Sequence, residues 1–268
     1  MARSLPGNRG AVPPTSDRWP SSLWLVRHGE SAGNVARDAA EAAGLPMIDV
    51  ATRVMDVPLC VRGESQARTL GAWIGGLPEG ERPTHTMASP YVRAQETAHL
   101  VLEASGCPPD EIDVEIDERL REREFGILDR LTRAGIEERF PEQAAARAVL
   151  GKFYHRPPGG ESWADVALRL RSLLDSVGRQ YAGDRLLVVS HQVVISVMRY
   201  LLERLTEAEL LAIDRSRELA NCSLAVFDFD PTIGRHGGMR LVRWNDVTPL
   251  ERAGEAVTAE PDTHVAPR

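Results

Sequence analysis

Two short apolar runs in this chain end in histidines. Leu23-Trp24-Leu25-Val26 leads into Arg27-His28-Gly29-Glu30, and far downstream Leu186-Leu187-Val188-Val189 leads into Ser190-His191. An imidazole nitrogen that is unprotonated at neutral pH attacks phosphorus, and a guanidinium matches phosphoryl oxygens in charge and geometry. Taken singly, a histidine at a strand end reads as a hydrogen-bonded structural residue. Together with Arg27, and with Arg93 in Ser89-Pro90-Tyr91-Val92-Arg93, the pair points to phosphoryl transfer through a phosphohistidine.

Such chemistry needs a scaffold that brings distant segments side by side. Strand-like runs occur at Leu23–Val26, Thr84–Ala88, around Ile112–Ile116, Leu186–Val189, Leu224–Phe229 and Arg240–Trp244. Between them lie helix-period stretches: Glu64–Ile74 after Gly63, Val92–Glu103 with Pro90 as a start signal, and Val193–Leu205. Ser162 with Asp165 forms an acidic capping box ahead of the face Val166, Leu170, Leu173, Leu174 and Val177. Strands alternating with helices predict an α/β three-layer sandwich: a mainly parallel sheet, helices on both faces, and a site at the carboxyl ends of the strands. The loop 230–238, rich in glycine, joins the last two runs as a hairpin and predicts one antiparallel edge strand. Residues 126–161 read as a helical lid insert that selects substrate, and residues 35–57 as the opposite wall.

Composition narrows the partners. The 268 residues carry 32 basic and 39 acidic side chains, a net charge of −7, without a basic run, which argues against nucleic acid or membrane partners. Apolar runs stay far short of the roughly 20 residues of a membrane helix, and the N-terminal region lacks a signal peptide's apolar core, so a cytoplasmic protein is expected. Three dispersed cysteines, Cys60, Cys107 and Cys222, support neither a disulfide framework nor a zinc site and read as reduced, mostly buried thiols. Residues 1–22 and 251–268 are expected to be disordered tails around a single domain, 23–250.

The string Arg27-His28-Gly29-Glu30-Ser31-Ala32-Gly33-Asn34 resembles the signature of the histidine phosphatase superfamily, the phosphoglycerate-mutase-like fold. Further matches follow in the family's order: Pro58-Leu59 with Gly63-Glu64-Ser65-Gln66-Ala67, Ser89 to Ala98, Leu120-Arg121-Glu122-Arg123-Glu124-Phe125-Gly126, Gly159-Gly160-Glu161-Ser162, and Val188-Val189-Ser190-His191. The resemblance covers about residues 23–245. It implies His28 as nucleophile, Glu122 as proton donor, His191 as a further catalytic and phosphate-binding group, and Arg27, Asn34 and Arg93 as oxygen contacts. Glu124 is the rival acid. Gly29 is expected to let the backbone approach the phosphate, and His191 to be cationic when phosphate is bound.

The resemblance implies neither metal nor other cofactor, even with Glu115, Asp117, Glu118, Glu122 and Glu124 clustered in sequence. His155 and Arg156 in the lid, and Arg62 beside Gly63, are candidate substrate contacts, with a solvated surface as the plainer reading. His85 reads as structural. The short lid segment Arg156-Pro157-Pro158-Gly159-Gly160 and Gln192 resemble the family's phosphatase rather than mutase branch. The leading expectation is hydrolysis of a small phosphorylated metabolite, with mutase-type transfer second; the sequence leaves room for a homodimer. Two further readings are a catalytically quiet phospho-ligand binder and a protein phosphotyrosine or phosphohistidine phosphatase.

Overall fold

The structure, a computed structural model, describes residues 18–50, 52–216 and 218–259. The tails expected at 1–22 and 251–268 therefore lie mostly outside the described residues. Where they overlap them, the chain is built into the fold. Ser22 opens the first strand, and at the other end residues 251–253 complete the helix Thr248–Ala253 while Asn221 N–H donates to Thr258 O at 2.8 Å.

Alternation of apolar side chains sets the layers. In β1 (Ser22–Arg27), Leu23 and Leu25 pack into one face while Trp24 and Val26 pack into the other. In β4 (Arg185–Ser190), Leu186 and Val188 join the first face, Leu187 and Val189 the second. Each such buried side chain contributes roughly 1.5–3 kcal/mol. With β2 (His85–Ala88), β3 (Glu115–Ile116), β5 (Leu224–Asp230) and β6 (Gly238–Asp246), they form a six-stranded sheet in the order β3-β2-β4-β1-β5-β6. The expected hairpin is β5–β6, and within it β5 is the strand that runs against its neighbours, one place in from the edge.

One face is covered by α2 (Val61–Gly75), α3 (Val92–Ala104) and α9 (Thr248–Ala253), the other by α6 (Trp163–Gln180), α7 (Gln192–Glu203) and α8 (Glu207–Ser216). Ser162 caps α6 with the predicted capping box. Helix α2 begins three residues before the predicted start because Gly63 lies inside its first turn: a Cβ there would stand 1.9 Å from the Glu30 carbonyl oxygen, so only glycine permits that approach. Pro90 likewise precedes Tyr91, the N-cap of α3, rather than occupying the first helical position. Of the cysteines only Cys222 is buried; Cys60 and Cys107 are half-buried.

The remaining elements, α1 (Ala32–Ala42), α4 (Arg133–Arg139) and α5 (Pro141–Tyr154), lie in the two inserts. These inserts are stitched into one cap. Met47 bridges Leu131, Ile48 N–H donates to Arg130 O at 2.9 Å, and Thr132 Oγ1 donates to Leu45 O at 2.6 Å. Leu128, Leu131 and Ile136, with Phe125 and Phe140 packed on them, give the cap its own small core. Among the described residues no helix is long and apolar enough to cross a membrane.

Candidate active site

Strand register brings the two histidines together. Parallel pairing of β1 and β4 sets Arg27 opposite Ser190, so the next residues, His28 and His191, leave adjacent strands side by side with ring centroids 5.1 Å apart. Both are fully buried within the protein.

His28 Nδ1 donates to its neighbour Gly29 O at 2.7 Å, which assigns the proton to Nδ1 and leaves the Nε2 lone pair available. That lone pair accepts from Arg93 Nε at 3.1 Å. Burial, then the Arg93 and Arg27 guanidiniums, hold the His28 pKa well below the ordinary imidazole value. A buried, neutral imidazole with one committed nitrogen is a nucleophile in waiting. His191 has the opposite assignment: Nε2 donates to Ser89 Oγ at 2.8 Å, and Nδ1 lies 3.4 Å from Arg93 Nη2 and 3.7 Å from Glu122 Oε2. Burial and then Arg93 depress its pKa too. His191 is neutral here, and the cation expected on it requires a phosphoryl dianion to offset Arg93.

Arg93 is drawn down to about 10 by burial and remains cationic at neutral pH. Its Nη1 donates to Val54 O at 2.8 Å. Arg27 donates to Leu219 O. Asn34 completes a capping box at the start of α1, with Oδ1 accepting from Ser31 N and Oγ at 3.0 and 2.7 Å. Its amide oxygen is thereby committed, so Nδ2 is the group that could meet a phosphoryl oxygen. The two candidate acids differ sharply. Glu122 is buried, its Oε1 accepting from Arg123 N–H at 2.9 Å and its Oε2 facing His191, whereas Glu124 is exposed and accepts from Tyr91 OH at 3.2 Å.

These groups floor a cavity of roughly 850 Å³, its open mouth included, lined by Arg27, His28, Asn34, Arg93 and Glu122. His191 does not line it but stands against His28, Arg93 and Glu122, which do. Arg62, His155 and Arg156 do not line it. Arg62 pairs with buried Glu30 at 3.0 Å; His155 is buried within the cap; and Arg156 is exposed, reaching Gly160 O at 3.1 Å. Gly29 packs closely on the start of α2: a Cβ there would stand 2.5 Å from Gly63 O.

Sequence reasoning missed three contributions. Arg37 lines the cavity one helical turn after Asn34, a spacing that marks the same face of α1. The apolar wall, Ile48, Val50, Val54, Val57, Phe125 and Leu128, carries no motif. Third, the C-terminal segment buttresses His28: Asn221 Nδ2 donates to His28 O at 3.0 Å, Thr258 Oγ1 donates to Asn221 Oδ1 at 3.0 Å, and Gln66 takes Glu30 N–H at 3.0 Å while donating to Thr258 Oγ1 at 3.0 Å. Among the described residues, no group of three or more His, Cys, Asp or Glu side chains could hold a metal ion.

The sequence model of the histidine phosphatase superfamily (branch 1) matches residues 23–247. A curated relative from Photorhabdus laumondii, named probable phosphoglycerate mutase GpmB, is 28% identical over 230 residues, 85% of this chain and 94% of its own. Among solved structures, a mycobacterial glucosyl-3-phosphoglycerate phosphatase in complex with VO3 superposes with a TM-score of 0.63 at 26% identity, covering 84% of this chain and 99% of its own. Bacillus stearothermophilus YhfR shares the fold, with a TM-score of 0.66 at 24% identity over 85% of this chain and 98% of its own.

Proposed function

Because the chain belongs to the histidine phosphatase superfamily, we propose that it hydrolyses a phosphomonoester through a phosphohistidine on His28. The observation that carries this reading is the commitment of His28 Nδ1 to Gly29 O, which leaves Nε2 as an unprotonated nucleophile beside Arg93. In the first step Nε2 attacks phosphorus, the bond from phosphorus to the ester oxygen breaks, and Glu122 gives its proton to the departing alkoxide. In the second, water attacks phosphorus and gives a proton to Glu122, the bond from phosphorus to Nε2 breaks, and inorganic phosphate leaves a free His28. Arg27 and Arg93 neutralise the phosphoryl oxygens throughout, with Nδ2 of Asn34 as a further donor. The unpaired cysteines suit a reducing, cytoplasmic setting.

Mutase-type transfer is the second reading, favoured by the name of the curated relative. A panel of phosphomonoesters, assayed with a chelator and including 3-phosphoglycerate with a bisphosphate primer, separates the two. Hydrolysis is expected across the panel, with an acid-labile phosphoenzyme on His28. Isomerised product formed well above the rate of hydrolysis would replace the proposal with the mutase reading, and full activity of His28→Ala would overturn both.

A further inference from the structure

Beyond its phosphoryl-binding floor, the cavity changes character. Beside Arg37, Arg123 and Asp129 its lining includes an apolar set, Ile48, Val50, Val54 and Val57 of the first insert and Phe125 and Leu128 of the second. This wall is tied to the phosphate clamp, because the backbone carbonyl of Val54 accepts from Arg93 Nη1 at 2.8 Å. A phosphoryl group seated on Arg93 therefore has its leaving group beside the wall.

Two of the charged side chains along this cavity already have hydrogen-bond partners within the protein, and a carboxylate stands among the arginines. Arg130 Nη1 donates to Val50 O at 3.0 Å, Glu124 accepts from Tyr91 OH at 3.2 Å, and the exposed Asp129 lies within the fields of Arg130, Arg37 and Arg93. A second phosphate or a carboxylate on the substrate would meet the Asp129 carboxylate as well as these arginines. An apolar body calls on neither, since covering the wall releases water from carbon surface.

We infer that the substrate is the phosphate monoester of an alcohol with an apolar body, an alkyl chain or aryl group that packs on the Ile48–Val57 wall, rather than of a small polyol or hydroxy acid. As a statement about a substrate it rests on hydrolysis at His28. Its binding component can be measured separately. The n-alkyl phosphates from ethyl to hexyl leave as alcohols of nearly equal acidity, so differences among them report contact rather than chemistry. We expect kcat/KM to rise about two- to fourfold per methylene and to exceed that of glycerol phosphate and 3-phosphoglycerate.

The matching n-alkylphosphonates, which cannot be hydrolysed, should tighten by the same factor in calorimetry. Val50→Thr, isosteric but hydroxylated, should flatten both series. Phosphonate affinities that are flat or fall with chain length overturn the inference, whatever the activity. Steep series unchanged in Val50→Thr overturn it as well, because the contact would then lie elsewhere. Tightening phosphonates without turnover of any ester would leave the wall standing and overturn the hydrolytic reading.

Discussion

The floor of the cavity and its cap are held by different kinds of force. The floor is made of strand ends in register and of buried hydrogen bonds whose partners are fixed atom by atom: His28 to Gly29, His191 to Ser89, Asn221 to the His28 carbonyl. The cap is two inserts joined by a short backbone bridge over a three-residue core, with exposed Val149, Leu150 and Tyr154 on its helix α5. A rigid floor suits the step proposed to be common to every ester, attack on phosphorus. A cap with few buried contacts suits the part of the substrate that varies. Damage to the floor should therefore be felt in kcat, for every ester alike, and damage to the cap in KM, in proportion to the size of the leaving group.

The sharpest test removes the nucleophile. His28→Asn keeps a polar side chain at the strand end but cannot form the phosphohistidine, and kcat should fall by about 10³-fold or more for all esters, with no phosphoenzyme in acid quench. Retention of even a tenth of the activity would mean that the floor is not the reacting centre. Glu122→Gln comes next. It should lower kcat about 10²–10³-fold for alkyl phosphates, whose alkoxides must be protonated to leave, but far less for p-nitrophenyl phosphate, whose phenolate leaves unaided. Glu124→Gln, at the exposed rim, should change either rate less than threefold. A reversal of the two glutamates would move the acid from the floor to the rim.

The floor also predicts a pH dependence of stability. His28 and His191 stay neutral in the folded chain to well below the ordinary value of 6.5, at which they protonate when unfolded. As pH falls through that value the unfolded chain binds protons that the native chain refuses, so their stabilising contribution is complete above about 6.5 and is lost below it, by up to about 1.4 kcal/mol per pH unit for each ring. Urea midpoints between pH 7.5 and 5.5 should fall accordingly, and His28→Asn should remove about half of that slope. An unchanged slope in the variant would show that other groups govern the acid limb.

The same division explains what could be read from the sequence. The apolar runs of β1 and β4, each ending in a histidine, imply a parallel pairing, and parallel pairing places His28 beside His191; the site's core follows from local patterns. Arg93 and Glu122 were legible because each lies in a short string of fixed order. The wall was not, since Ile48, Val50, Val54 and Val57 lie in a segment where neither strand nor helix period applies, and their neighbours in space are distant in the chain: Ile48 and Val50 bond Arg130, and Val54 bonds Arg93. His155 illustrates the converse, a polar residue in a loop-like string that the fold buries in the cap away from the cavity. Thr258 was hidden for a third reason: a single hydroxyl in a proline- and charge-rich stretch shows nothing of the asparagine and glutamine it will bridge.

Thr258 and Gly135 allow the comparison to be broken with two small changes of similar severity. Thr258→Val keeps the shape but deletes the hydroxyl between Asn221 and Gln66, leaving a buried amide oxygen short of a donor and loosening the carbonyl of His28; the cost is about 1–3 kcal/mol. Because the nucleophile is what shifts, kcat should fall severalfold and equally for ethyl and hexyl phosphate, with KM little changed. Gly135→Ala acts at the seam of the cap, where a Cβ would stand 1.8 Å from the Pro46 carbonyl oxygen, a backbone atom that can yield only by parting the two inserts. That should leave kcat for ethyl phosphate within twofold of wild type and raise KM for hexyl phosphate several times over, since only the longer ester reaches the displaced wall. If instead Gly135→Ala slows every ester alike, the cap is coupled to the chemistry through Val54 and Arg93, and floor and cap are one device rather than two.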